Sequence, residues 1–559
     1  MFFILSLIFS IASLVLTQTL SQKRNRLICL TLILINFILL GCYFFLDYLS
    51  GNGINDAVLY HFYFGITGFG INDYIIPIIF LISYIFICFL LVYVFYTKKL
   101  NIENFFLSYK NTLPIFLILS PVFNPVSHDL FDLSSLNFLD NSHDEISSQD
   151  FFIQTSNPIF FNKKKNIIFL YLEQFERTYL DESIFPGLTP NLKRLEREAV
   201  SFINIHSPQS TNWTIAGMVA SQCGIPLLVP GYRGNSMSGL DKFLPLADCL
   251  GDILAEHRYE LNYLGGSNLD FAGKGTFYIS HGFETVEGLE KLQYLISKKS
   301  LSPWGLYDDD LYEIIKERFI NLNNSENPFG LFALTLDTHH PNGYISNTCN
   351  GLIYGDGKNP ILNSIHCADK LAGSFIESIK SNSAYTNTTL VVTSDHLALK
   401  NSASSMLKQG DRKNLFLIFD HDIEPEIITK PGSVFDIAPT VLSAIGAHTQ
   451  GLGFGRNLFF ESSLIEYDLT MKSIIEPYKN EILSMWSFPK INRKFEVLLK
   501  NKVINFDSRQ TKLPILILLN NEFDVVEMRF DFYFSNPLIN EVKSLKNSKN
   551  LIWIDQCEI

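Results

Sequence analysis

Three apolar runs in this 559-residue chain each end in residues that could bind a cation. NIIFLYL (residues 166–172) is followed by Glu173. FGLFALTL (329–336) leads into Asp337, Thr338, His339 and His340, and TTLVVT (388–393) leads into Ser394, Asp395 and His396. Carboxylate oxygens and imidazole nitrogens together suit a divalent metal such as Mn2+ or Mg2+, with Zn2+ a third candidate. Each residue also has an ordinary reading, since Asp after a strand commonly caps a helix and a lone His is commonly hydrogen-bonded at a surface. Position joins them, because ligands of open α/β sheets bind beyond the carboxyl ends of the strands.

A nucleophile candidate lies in STNWTIAGM (210–218), where Thr214 stands before a small-residue helical stretch, 215–222. A hydroxyl there meets the positive end of the helix dipole and free backbone N–H groups, which suit an alkoxide and the phosphate it attacks. Metal coordination would lower its pKa. An N-cap threonine uses the same geometry without chemistry, and spacing alone favours that reading.

The elements that must position these residues read as α/β. The three runs, and LFLIF (415–419), are continuous apolar stretches of the buried parallel-strand type. Helical stretches lie between them, around 190–199 with Thr189 as cap, 309–318 and 368–380. Alternating strands and helices indicate a mostly parallel sheet over 166–470. From 471 to 559 the pattern shifts to short strands, a small β-rich subdomain. Residues 125–165, rich in Asn, Ser, Asp and Pro, read as a linker.

Residues 1–124 differ in kind. Stretches 2–20, 27–46 and 75–97 are apolar and each long enough to cross a ~30 Å hydrocarbon layer as helix. A shorter fourth stretch, 113–123, carries Pro114 and Pro121 and would need to begin near Phe105. About four helices are expected. Lys23, Arg24 and Arg26, and then Lys98 and Lys99, should face the cytoplasm, whereas the loop 47–74 has no Lys or Arg and should face outward. Four crossings place the rest of the chain outside; three would leave it inside. Residues 1–125 carry a net +2 and the remainder −14. An acidic soluble part without basic runs argues against nucleic acid as a partner. Cys223 with Cys249, and Cys349 with Cys367, are close enough to bridge modest loops in an oxidising compartment; four buried thiols are the alternative.

Longer segments carry a resemblance. YLEQFERTYL (171–180), TNWTIAGMVASQCGIPL (211–227), FAGKGTFYISHGF (271–283), WGLYDDD (304–310), LTLDTHHP (334–341) and TSDHLAL (393–399) resemble the phosphoglycerol transferase I family, as does the outward loop SGNGINDAVLY (50–60). That family belongs with lipoteichoic-acid synthases in the alkaline phosphatase/sulfatase superfamily. The resemblance implies a sulfatase-like α/β domain and transfer of phosphoglycerol from phosphatidylglycerol to a periplasmic glucan by a protein of the inner membrane, its catalytic domain in the periplasm. It implies metal ligation by Glu173, Thr214, Asp395 and His396, with Thr214 also the nucleophile. His339 matches the histidine at the phosphoglycerol head group, and Lys274 falls where the synthases place an arginine near the phosphate. Trp304, Asp308 and Arg412 are further substrate-site candidates, for which core packing or ion pairing competes.

Three departures stand out. Gln174 follows Glu173 where the family often has Ser. Family members can extend further C-terminally, so acceptor choice does not carry over directly. Cys223-Gly224-Ile225-Pro226 lacks the C-x-P-x-R pattern, which disfavours sulfate-ester hydrolysis. Two rivals are a phosphoethanolamine transferase and a non-catalytic membrane sensor of the same fold.

Overall fold

The computed structural model describes residues 2–51, 53–55, 57–59, 61, 74–98, 109–138, 151–153, 159–228, 242–296 and 301–486, and six C-terminal segments (495–498, 503–506, 509–512, 514–519, 525–530 and 551–554). The chain forms two compact units. The first comprises residues 1–60 and 70–148, the second 61–69 and 149–559.

The first unit is helical and anchors the chain in a membrane. Helices α1 (Phe2–Leu16), α2 (Lys23–Ser50) and α3 (Ile75–Thr97) follow the apolar stretches. Among the described residues three spans are long and apolar enough to cross a membrane, the first running to Thr19 through a further turn. Helix α4 (Leu113–Val122) has only ten residues, and a bent pair formed with the following helix would make a fourth span. The expected start near Phe105 lies outside the described residues. Where a linker was expected, Pro125–Phe138 forms helix α5, with the pair bent by 55° at the break. The bend has a local cause: Phe123 N–H bonds to Leu119 and Asn124 N–H to Pro121, so the Ser120 carbonyl loses its helical partner. The Ser6 hydroxyl donates to that carbonyl at 2.7 Å. Ser10 and Ser120 hydroxyls meet at 2.6 Å, and the Asn36 amide donates to Ser6 and Ser10 at 3.1 and 2.7 Å. Asn124 in turn donates to the Asn36 side-chain oxygen at 2.8 Å. All five side chains are buried, so the network satisfies polar groups that hydrocarbon could not.

The second unit is built on an eight-stranded sheet. In chain order its strands are β1 (Asn166–Leu172), β2 (Val200–Phe202), β3 (Glu260–Gly265), β4 (Thr285–Glu287), β5 (Phe329–Leu334), β6 (Thr388–Ser394), β7 (Phe416–Phe419) and β8 (Glu426–Ile428). Across the sheet they run β8-β2-β7-β6-β1-β5-β3-β4, all parallel except β7. The expected mostly parallel sheet is present.

Helices cover both faces. Ile168, Leu170 and Leu172 of β1 pack in one core cluster with residues of Asp308–Leu322 and Pro360–Lys380. On the other face Tyr171 meets Ser221 of the helix Thr214–Cys223, hydroxyl to hydroxyl at 2.6 Å. The Thr189 hydroxyl does not cap the helix Pro190–Leu195; it donates to the Tyr179 carbonyl. Asp369 does that work, accepting the N–H groups of Asn191 and Leu192. Both cysteine pairs, Cys223–Cys249 and Cys349–Cys367, are disulfide-bonded. Beyond residue 470 the chain first forms short helices, Lys472–Ile475 and Lys479–Ser484; strands begin at Phe495 and form two three-stranded sheets.

Candidate active site

Four neighbouring strands, β6, β1, β5 and β3, deliver their carboxyl ends to one edge. The register places Ser394 beside Leu172 and Tyr171 beside Leu334, so Asp395 and Glu173 leave the sheet side by side. Hydrogen bonds then stitch the loops. Glu173 N–H donates to the Thr335 hydroxyl at 3.0 Å, and the Thr338 hydroxyl donates to the Glu173 carbonyl. Gln174, with φ +52°, donates its backbone N–H to Asp395 Oδ1 at 2.8 Å and its amide to Glu173 Oε1 at 2.9 Å. The same amide lies 3.0 Å from His340 Nδ1, and Gln174 Oε1 accepts Leu399 N–H. The residue that departs from the family pattern thus ties three strand-end loops together.

Glu173, Asp395 and His396 are each about fully buried and offer ligand atoms within 4.8 Å of one another. His396 Nε2 is 3.3 Å from Asp395 Oδ2 and 4.0 Å from Glu173 Oε1. Its Nδ1 lies 2.7 Å from the Leu397 carbonyl, a contact that needs the proton on Nδ1 and leaves a lone pair on Nε2. Asp395 Oδ2 is buried without a hydrogen-bond partner. Burial pushes the Glu173 carboxyl up, with Asp395 adding to the shift. Burial likewise raises Asp395 to about 6 and lowers His396. Electron pairs converge on a sealed site short of positive charge, so this set fits a divalent cation. A second grouping, Cys249, Asp252 and His281, does not, because the Cys249 sulfur is in a disulfide.

Thr214 opens the helix Thr214–Cys223. The N-cap is Trp213, with extended φ and ψ, and no side chain makes a capping bond. The hydroxyl is therefore not spent on capping. Gly217 fixes where this first turn lies: a Cβ there would stand 1.8 Å from the Asp395 carbonyl oxygen. Glycine allows the helix to rest directly on the strand end that carries two of the cluster residues.

His339 Nε2 reaches to 4.0 Å from Glu173 Oε1, and its Nδ1 lies 2.8 Å from the His340 carbonyl. Burial, with His340 next, lowers its pKa well below the usual value, so the ring is neutral with a lone pair on Nε2. Trp304 packs on it at 4.1 Å between ring centroids. Lys274 is buried, donates to Ser267 Oγ at 2.8 Å and lies over the Phe271 ring at 5.2 Å. Burial lowers its pKa, while Glu173 and Asp395 pull it back up.

The other two candidates hold loops. Asp308 accepts the N–H groups of Leu336 and Asp337 at 2.6 and 3.2 Å, and Asp337 accepts the Asp308 N–H and the Ser346 hydroxyl at 3.2 and 2.5 Å. Arg412 Nε donates to both carboxylate oxygens of Glu176 at 3.0 Å, and the guanidinium also reaches the Ala398 carbonyl at 2.6 Å. Glu176 in turn accepts Ala398 N–H, so this pair braces the loop after His396. Sequence reasoning passed over Glu176, noted Gln174 only as a departure from the family pattern, and named Asp337 only as part of a strand-end run. The available signal was a charged or amide residue within three positions of a strand-end ligand, where the chain turns back into the core.

Three family models match the chain: Sulfatase over residues 165–447, the N-terminal domain of phosphoglycerol transferase I over 1–144, and its middle domain over 493–559. Phosphoglycerol transferase I of Escherichia fergusonii is 35% identical over 525 residues, and that of Salmonella choleraesuis 36% over 523. Each alignment covers 91% of this chain and 66% of the relative, so the chain spans just under two thirds of their length. A Vibrio parahaemolyticus protein of the alkaline phosphatase superfamily is a structural neighbour, with TM-score 0.45 and 23% identity over 59% of this chain and 79% of its own. The sulfatase match spans half the chain and contains the whole central sheet with Glu173, Asp395 and His396, and the protein therefore belongs to the sulfatase family.

Proposed function

We propose that this chain is a phosphoglycerol transferase, moving phosphoglycerol from phosphatidylglycerol to a periplasmic glucan through a phosphoglyceryl-threonine at Thr214. The observation that carries the reading is the sealed, electron-rich cluster of Glu173, Asp395 and His396 beneath a helix whose first residue has an uncommitted hydroxyl. Similarity to phosphoglycerol transferase I over 91% of the chain supports the transferred group. That similarity does not favour a phosphoethanolamine transferase or a non-catalytic sensor.

Glu173, Asp395 and His396, with Thr214, would hold the divalent cation, Mn2+, Mg2+ or Zn2+, which as a Lewis acid makes the threonine hydroxyl more acidic. Thr214 Oγ bonds to the donor phosphorus as the bond to the diacylglycerol oxygen breaks, and the threonine proton ends on released diacylglycerol. A glucan hydroxyl then attacks the same phosphorus as the bond from phosphorus to Thr214 Oγ breaks, and the glucan hydroxyl's proton ends on the released threonine oxygen. The Lys274 ammonium offsets the charge on the phosphate, the main requirement of phosphoryl transfer. His339 Nε2, with its lone pair free, accepts a hydrogen bond from a glycerol hydroxyl. Trp304 packs that imidazole; Asp308 and Arg412 shape the loops around it.

The domain plan we propose is a multi-pass inner-membrane anchor, 1–124, a catalytic domain, 166–470, outside the cytoplasmic membrane, and a C-terminal part from 471. Two disulfides and the placement of Lys23, Arg24, Arg26, Lys98 and Lys99 support that side.

The test is reconstitution of the full chain in vesicles of head-group-labelled phosphatidylglycerol with Mn2+. Expected are diacylglycerol release and a phosphoglyceryl adduct on Thr214, both lost on chelation and both absent in Thr214→Ala. No lipid turnover with metal present would refute the reading.

A further inference from the structure

His61 lies in sequence between two apolar helices, yet it belongs to the compact unit that carries the site. Its ring stacks on Phe271, with centroids 5.2 Å apart and planes 17° from parallel. Phe271 is also the ring beneath the Lys274 ammonium, and it meets Trp304 edge-on at 5.3 Å. Trp304 in turn packs on His339. A continuous run of rings therefore leads from His61 to both residues assigned above to the donor head group.

The turn that holds Phe271 gives His61 its importance. Phe271–Gly273 is a single 3-10 turn, and Ala272 and Gly273 both have positive φ, at +59° and +70°. No regular helix fixes the Phe271 ring, which is half-buried, so its orientation depends on the groups packed against it. A buried ammonium follows the face on which it rests, because that face replaces part of its lost hydration.

We propose that His61 is a positioning residue for the phospho-donor: it backs Phe271 and thereby sets Lys274 against the donor phosphate. The proposal rests on the phosphoglycerol-transfer reading. It assigns His61, which stands in sequence between two apolar helices, a part in the donor site through stacking rather than through proton transfer.

The experiment uses full-length wild type, His61→Ala and His61→Phe in vesicles, with two donors: phosphatidylglycerol and a water-soluble glycerol phosphodiester of nitrophenol. His61→Ala should raise KM for both donors about three- to tenfold, the scale of one lost aromatic pair, with kcat changed by less than about twofold. His61→Phe, which keeps the stack, should restore KM. Unchanged KM in His61→Ala, a fall in kcat alone, a KM change confined to the lipid donor, or no rescue by Phe would overturn the proposal. Thermal melting of each variant separates a packing failure from a KM effect, and a destabilised His61→Phe with raised KM counts against it. If wild type turns over neither donor, the function reading itself fails, and this proposal with it.

Discussion

Thr214 begins its helix one position after the cap, and that difference releases its hydroxyl for chemistry. Thr214→Ala should reduce lipid turnover on the order of a thousandfold or more, as loss of a nucleophile does, with Thr214→Ser intermediate; single-turnover diacylglycerol release measures both. Asp308 and Asp337 offer a test of a different kind. Burial raises the Asp308 carboxyl to about 7, and it raises Asp337 well above the usual range, with Asp308 adding to the shift. A raised carboxyl contributes stability that is fully present below its ordinary pKa near 3.8 and is lost as pH rises through the folded value. Asp337 Oδ1 has no partner, so Asp337→Asn removes a buried charge while keeping an acceptor for Ser346. The midpoint of thermal unfolding should rise by about 2–4 °C at pH 8 and stay unchanged at pH 4. Glu173, Asp395 and His396 were legible in the sequence because strand ends announce themselves. Gln174 and Glu176 were not, since their work lies in contacts across loops more than 200 residues apart.

Helix Thr214–Cys223 shows how one element sets the site. Its first turn lies on the Asp395 carbonyl, and a methyl at Gly217 would meet backbone rather than a flexible side chain. Gly217→Ala should therefore cost about 1–3 kcal/mol, as overpacking does, and reduce turnover together with stability; parallel melting and activity curves test it. Of the strands, β1, β5, β6 and β7 were readable as unbroken apolar runs. The three-residue strands β2, β4 and β8 left no periodic signal, and β3 (ELNYLG) mixes polar residues into a buried strand, with Asn262 held by Arg318. Tertiary pairing, not local preference, makes these segments strands. The Thr189 cap failed for a related reason: a distant carboxylate, Asp369, took the helix N-terminus.

At the scale of the molecule, two disulfides fasten the second unit, one joining the end of the Thr214 helix to Cys249, the other joining Cys349 to Pro360–Lys380. Reduction should lower the unfolding midpoint substantially, since losing a native disulfide typically costs about 2–5 kcal/mol; melting with and without reductant, and with Cys349→Ser, measures it. The polar network of the first unit has a consequence for the order of synthesis. Ser6, Ser10 and Asn36 leave the ribosome together, but Asn124, which completes the Asn36 amide, follows 88 residues later. On the multi-pass plan proposed above, two apolar helices enter the bilayer holding an unfinished set of hydrogen bonds, and the shortest, bent segment finishes it. On that plan, assembly of the anchor is decided by its last and shortest piece, after the stretches that look most like membrane spans are already in place.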